Sequence, residues 1–286
     1  NIMNILDNNN LTVVDFIVSN SLFFYENEPV EFVDISLIEP ISWQWDFGDG
    51  GTSILQNPNH IYETTGTYVV SLTASNEILS YTKQKEIYFH LFECGDTFED
   101  EFSNTFETVL IGNQCWLKQN LNVDYDSQGN IVSKTCYNND VQNCEIFGGL
   151  YSWNEIMNGS NSSSNSPSGV QGICPVGWHI PSKLEWEELI SYLGGNGIAG
   201  GKMKETGFDY WESPNTGATN SSGFTALGGG GYNDGSFNNL KMKAFWWTTN
   251  ENGNQARIFD VVNYNAGIGN YDVDKDRKLS VRCIKD

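Results

Sequence analysis

From Val13 to His90, apolar and polar residues alternate in five short blocks: VVDFIVS, PVEFVDIS, ISWQWDFGDG, GTYVVSLTAS and KQKEIYFH. Alternation sends successive side chains to opposite faces, so each block predicts a strand with one buried and one wet face. Turn residues separate the blocks and no helical periodicity intervenes, which predicts an antiparallel sandwich. In the third block Trp45 and Phe47 share a face, and Asp49-Gly50 supplies a turn. Asp46 and Asp49 are therefore read as turn formers, with calcium as the alternative, and His60 is expected to pack or hydrogen-bond near Tyr62.

Beyond Cys94 the pattern loosens into long loops rich in Gly and Trp, broken by two helical patches. Gly149 to Met157 predicts a short amphipathic helix ended by Asn158-Gly159. In the second patch Ser182 and Glu185 form a capping box, Trp186, Leu189, Ile190 and Leu193 follow at helical spacing, and Gly194-Gly195 stops it. Between the patches, GSNSSSNSPSG reads as a low-complexity loop. The expected organisation is a polar tail over 1–11, an all-β sandwich over 12–91 and an α+β domain with long loops and two short helices over 92–286.

Composition sharpens the partners more than the fold. The 36 acidic residues against 15 Lys and Arg give a net charge of -21, which repels nucleic acid and bare anionic membrane. No apolar run is long enough to span a bilayer, and the start of the chain lacks the charged and apolar regions of a signal peptide, which is expected to have been removed. All six cysteines, Cys94, Cys115, Cys136, Cys144, Cys174 and Cys283, fall in the second domain and none forms a CxxC pair. That pattern predicts disulfides and an oxidising compartment.

The sandwich block carries Trp45-Asp46-Phe47-Gly48-Asp49-Gly50, then Asn57-Pro58-Asn59-His60-Ile61-Tyr62, then Gly66-Thr67-Tyr68-Val69-Val70. These pieces, in this order, resemble the PKD domain, which implies an immunoglobulin-like sandwich serving as spacer or adhesion module. The second domain carries Gly112-Asn113-Gln114-Cys115-Trp116, Gly148-Gly149-Leu150-Tyr151-Ser152-Trp153, Cys174-Pro175-Val176-Gly177-Trp178-His179-Ile180-Pro181-Ser182, Phe245-Trp246-Trp247-Thr248-Thr249 and Ser280-Val281-Arg282-Cys283. It resembles the FISUMP family, a major paralogous domain of bacterial surface proteins, and the resemblance implies a C-type-lectin-like fold. Such folds bring their ends together, so Cys174 is expected to bridge to Cys283. Cys136 and Cys144 flank a polar turn and are expected to pair locally, leaving Cys94 with Cys115, although four cysteines allow three connectivities.

Candidate chemistry is sparse. His179 is expected to be buried and bonded to backbone at the strand-to-helix turn, with no nucleophile or orienting acid evident beside it. Asp272, Asp274 and Asp276 alternate as oxygen-ligand loops do, and read either as a calcium site or as a solvated turn that Lys275 and Arg277 neutralise. Asp124 and Asp126 begin a second acidic loop. Trp246, Trp247, Tyr210 and Trp211 read as core before sugar platform, and the EPN or QPD triplet of calcium-dependent lectins is absent. The expectation is a non-catalytic protein, secreted or held at the outer surface as a lipoprotein, that meets a glycan or protein ligand. Its alternatives are an accessory subunit among envelope proteins or part of a polysaccharide-degrading system.

Overall fold

The computed structural model describes residues 13–18 and 29–286; the expected tail over 1–11 lies outside them. The chain forms two compact units, 1–93 and 94–286. In the first, strands β1 (Phe16–Val18), β2 (Val30–Asp34), β3 (Ser42–Asp46), β4 (Thr52–Ser53), β5 (Asn59–His60), β6 (Gly66–Ser75) and β7 (Ser80–Phe89) build two antiparallel sheets. One has the order β1-β2-β5 and the other β4-β3-β6-β7.

The alternation seen in the sequence is what joins them. Phe16 and Phe32 from the first sheet meet Trp45 and Phe47 from the second, and all four are buried. Phe16 stands edge-on to Trp45 at 5.1 Å between ring centres, and Phe32 lies 5.0 Å from Phe47. The polar ends of the aromatics find carbonyls: Trp45 Nε1 donates to Leu55 O at 2.9 Å and the Tyr62 hydroxyl donates to Phe47 O at 3.0 Å. Burying an aromatic of this size stabilises by several kcal/mol, so truncating Trp45 would cost about 3–5 kcal/mol.

The second unit begins with β8 (Thr97–Glu99), β9 (Thr105–Ile111) and β10 (Gln114–Leu117). Helices α1 (Val141–Phe147) and α2 (Trp153–Met157), strand β11 (Trp178–His179), then α3 (Lys183–Tyr192) and α4 (Ala199–Met203) follow. Strands β12 (Gly229–Asn233), β13 (Ser236–Leu240), β14 (Lys243–Asn252), β15 (Gln255–Val262), β16 (Ile268–Asp274) and β17 (Ile284–Lys285) complete it. The sheets are β11-β17-β10-β9-β8, the hairpin β12-β13, and β14-β15-β16. The core lies between α3 and the last of these sheets, where Trp186 stacks on Phe259 at 5.2 Å and contacts Trp246 at 5.4 Å and Trp116 at 5.1 Å.

Both expected helices form, the first only over Trp153–Met157 because Leu150 and Tyr151 are held in β-bridges, and each carries a full capping box: Ser152 with Glu155 on α2, Ser182 with Glu185 on α3. Two more helices appear among the described residues where only loop was expected. Asp140, read as part of a polar turn, caps α1 by accepting from Gln142 N. Helix α4 reads AGGKM, a poor helix former by propensity. Packing overrides propensity here, because a Cβ on Gly200 would come within 2.1 Å of Gly267 O and one on Gly201 within 2.4 Å of Gly217 O.

Three disulfides close the unit: Cys94–Cys115, Cys136–Cys144 and Cys174–Cys283, the pairing expected. The last spans 109 residues and joins the segments leading into β11 and β17. Closing a loop of that length restricts the unfolded chain by roughly 4–5 kcal/mol in the chain-entropy picture.

Candidate functional site

A groove opens on one face of the β14-β15-β16 sheet. Register sets which residues face it: Phe245 lies opposite Asp260, Ile258 opposite Tyr271, and Ala256 opposite Val273, so alternate positions of three strands share one side. The other side holds Trp246, Phe259, Val261 and Ile268 and belongs to the core. The β12-β13 hairpin folds across the groove side, turning at Asp234-Gly235 with both residues at positive φ (49° and 79°), as a two-residue hairpin loop requires. It comes close because Gly231 has no side chain: a Cβ there would sit 2.7 Å from Leu279 Cδ2.

The result is a cavity of about 140 Å³. Buried Phe245, Ile258, Val273 and Leu279 form its apolar floor. Tyr232, Tyr271 and the amides of Asn233, Asn238 and Asn239 line the walls, together with Lys243 and Arg277. Tyr271 remains 41% exposed. Burial of its hydroxyl and the negative charge of Asp260 push its pKa up to about 12, with Arg277 acting in the opposite direction. The Nε of Arg277 is buried and meets no acceptor among the described residues. Asp260, from the middle strand, is 7% exposed and held protonated to higher pH than usual by burial, against the pull of Lys243. Aromatic faces, amides and one unsatisfied guanidinium nitrogen around an apolar floor are the features of a small-molecule binding site.

Asp272, Asp274 and Asp276 do not converge on a common point, and among the described residues no group of three or more His, Cys, Asp or Glu is placed to hold a metal ion. Asp272 instead pairs with Arg257 at 2.5 Å, which holds its carboxyl below the usual range, and accepts from Asn252. Asp274 accepts from Gln255 Nε2 at 3.1 Å, and Asp276 sits in the following turn. The physical reason is the strand itself: Asp272 and Asp274 lie side by side on β16, where cross-strand partners from β15 neutralise or bond them. Neither basic residue of that segment acts as expected, since Lys275 pairs with Glu251 and lies over the Trp153 ring at 4.2 Å.

The other acidic candidates are turn formers. Asp46 accepts from Gly48 N at 2.9 Å and Asp49 from Gly51 N at 2.8 Å. His60 bonds Asp49 at 2.7 Å, stacks on Phe47 at 4.0 Å and meets Tyr62 edge-on. Asp126 is buried and accepts from Gln128 N, Asn130 N, Asn130 Nδ2 and Asn158 Nδ2, while Asp124 pairs with Lys134. Trp246, Trp247 and Trp211 are core, each with its indole N–H bonded, to Asn120 Oδ1, Tyr151 O and Ala226 O. Tyr210 is 36% exposed and meets Phe147 edge-on.

His179 is buried as expected, but its partners correct the reading: they are carboxylates, not backbone. Its Nε2 meets Glu185 Oε1 at 2.6 Å and its Nδ1 meets Asp286 Oδ1 at 2.6 Å. Burial disfavours the charged ring, but the two acids outweigh it and hold its pKa up at about 9. An imidazolium with both nitrogens bonded to carboxylates is a latch and a poor general base. Glu185 serves twice, because its other oxygen closes the α3 capping box on Ser182 N and accepts from Ser168 N. Two further cations are buried, and no local spacing in the sequence marks them. Arg282 donates to the carbonyls of Leu117, Lys118 and Phe224 and to Asn120 Oδ1, and Lys204 donates to those of Thr216, Val262 and Asn265.

Two β-rich units, the second closed by three disulfides, have the domain make-up of an extracellular surface protein. The chain belongs to the Fibrobacter succinogenes major domain family, which matches residues 109–285, and a PKD domain precedes it over residues 15–89. Collagenase ColA of Bacillus cereus is 36% identical over 75 residues, which are 26% of this chain and 8% of the collagenase. Collagenase ColQ1 of Bacillus cereus strain Q1 is 49% identical over 37 residues, 13% of this chain and 4% of that protein. The chain thus spans less than a tenth of the length of these curated relatives. Among solved structures, the PKD1 domain of the Vibrio cholerae metalloprotease PrtV is 28% identical, with 27% of this chain and 94% of that chain covered at a TM-score of 0.23. Among the described residues no helix is long and apolar enough to cross a membrane.

Proposed function

We propose that this is a non-catalytic binding protein of the cell exterior. Its second domain, which we read as C-type-lectin-like, takes a glycan or protein ligand in the groove, and the PKD sandwich serves as its carrier. The observation that supports this reading is the groove itself, where Tyr232, Tyr271 and three asparagines stand around a buried apolar floor. The chemistry elsewhere agrees: all six cysteines are in disulfides, and His179 has both ring nitrogens bound to carboxylates.

The test is to screen the full chain against a glycan array and against envelope-protein extracts, alongside Tyr232→Ala/Tyr271→Ala. Binding by the wild type that the double variant loses is the expected result, with or without a calcium chelator. Binding that the double variant keeps would remove the groove from the reading. Turnover of any substrate that is lost in His179→Gln would overturn the non-catalytic assignment. Binding abolished by the chelator would move the site to the Asp272, Asp274 and Asp276 turn.

A second reading has one observation in its favour. The PKD match extends to a collagenase of Bacillus cereus, a degradative enzyme by its name, which suits an accessory module in a degradative system. Stable co-purification with a hydrolase from the source cells would favour it.

A further inference from the structure

Asp260 is a largely buried carboxylate whose oxygens still reach solvent and that accepts from no side chain or backbone group among the described residues. It is 7% exposed, and the influences on it are burial and the charge of Lys243, with no hydrogen-bond donor from any described residue. Buried carboxylates are ordinarily paired or hydrogen-bonded, because desolvating one without a partner is costly. The register places Asp260 on the groove side of the sheet, opposite Phe245 on one neighbour and Gly269 on the other. The fold keeps room for the group: a Cβ on Gly269 would lie 2.4 Å from Asp260 Oδ1. Lys243 and Tyr271, the two residues that feel its charge or act upon it, both line the groove. Arg277, whose charge also acts on Tyr271, lines the same groove and has a buried Nε that meets no acceptor among the described residues.

We infer that Asp260 and Arg277 are the polar anchors of the groove and that its occupant is a neutral sugar ring, whose hydroxyls donate to the carboxylate and accept from the guanidinium. This inference rests on the binding function proposed above and names its ligand class. An anionic ligand would meet Asp260, and a cationic one would meet Arg277 and Lys243. A ring of hydroxyls carries donors and acceptors together, so it satisfies both groups without introducing charge. The apolar floor of Phe245 and Ile258 suits the C–H face of a pyranose, Tyr271 offers an exposed aromatic edge, and the asparagine amides can exchange both kinds of bond with further hydroxyls. A cavity of about 140 Å³ suits a single ring rather than a folded protein element.

The experiment titrates the full chain with the methyl glycosides of glucose, galactose and mannose and their tetrasaccharides, beside glucuronate and glucosamine. At least one neutral glycoside is expected to bind, more tightly than either charged sugar. Asp260→Asn should weaken that binding by roughly ten- to a hundred-fold, the scale of a hydrogen bond to a charged group. The same variant should raise the melting temperature, because it removes an unpaired buried charge at constant volume. A structural carboxylate would behave in the opposite way. The inference is overturned if Asp260→Asn melts lower than the wild type, if it binds the glycoside equally well, or if glucuronate or glucosamine binds tightest. It is also overturned if no neutral glycoside binds while the groove takes another ligand, an outcome that leaves the proposed binding function standing.

Discussion

The two units solve one problem in opposite ways. In the sandwich β3, β6 and β7 pair along regular ladders and the interior is apolar: Phe16, Phe32, Trp45, Phe47, Val70 and Leu72 are buried, and the cation that serves a carbonyl there, Lys85 on Phe16 O, stays part-exposed at the rim. In the second unit the chain leaves regular structure for long stretches, and its carbonyls still need donors when buried. Arg282 and Lys204, both fully buried, provide them, each serving three carbonyl oxygens from loops and strand ends distant in sequence. Burial pulls Arg282 down to about 9 and Lys204 to about 8, yet both remain charged at neutral pH. The difference teaches that a loop-rich fold can replace ladders with buried side-chain cations, provided every donor is used.

Three measurements would break or sharpen that contrast. The largest effect belongs to Arg282→Met, which keeps the stem and removes the donors, leaving buried carbonyls and Asn120 Oδ1 unanswered. We expect the second unit to lose about 3–5 kcal/mol in urea denaturation while the sandwich unfolds as before, with little rescue by Arg282→Lys. A loss under 1 kcal/mol would mean that the contrast is one of appearance only.

The next is the pH dependence of the His179 latch. Its pKa rises from 6.5 to about 9 on folding, so the folded state holds a proton that the unfolded chain releases. The latch is therefore complete below pH 6.5 and lost as pH rises through 9, a change of about 3 kcal/mol in the second unit. His179→Gln should flatten this slope, and a slope unchanged in the variant would assign it to another group.

The smallest effect is in the sandwich, where Asp49 holds both a turn amide and His60 near the surface. Asp49→Ala should cost about 1 kcal/mol and leave the second unit untouched. Thermal melts that resolve the two units would show a larger penalty if this polar contact carries weight like Arg282.

The same contrast decided how much could be read from residues alone. Alternation in GTYVVSLTAS and the turn in WDFGDG describe local geometry, and local geometry is most of a sandwich. The α3 capping box was equally legible because Ser182 and Glu185 lie three residues apart. The second oxygen of Glu185 reaches His179 from six residues away, but Asp286, on the other side of that ring, depends on strands meeting across 107 residues. Tyr271 and Arg277 come together with Tyr232 only through the fold of a hairpin across a sheet, so no spacing announced the groove. Helix α4 hid behind glycines whose meaning lies in the carbonyls of Gly217 and Gly267.

The position of β17 sets the order in which the two units can be made. It lies between β11 and β10 in its sheet, and the cysteine just before it closes the longest disulfide. The sandwich has all of its described strands once residue 89 has emerged from the ribosome or the export channel. The second unit must hold its tryptophans in an unfinished state until residues 284–285 arrive to fill the gap. Such late closure of distant contacts is slow and leaves apolar surface open to mispairing, so the vulnerable interval in biogenesis falls after the sandwich is already formed.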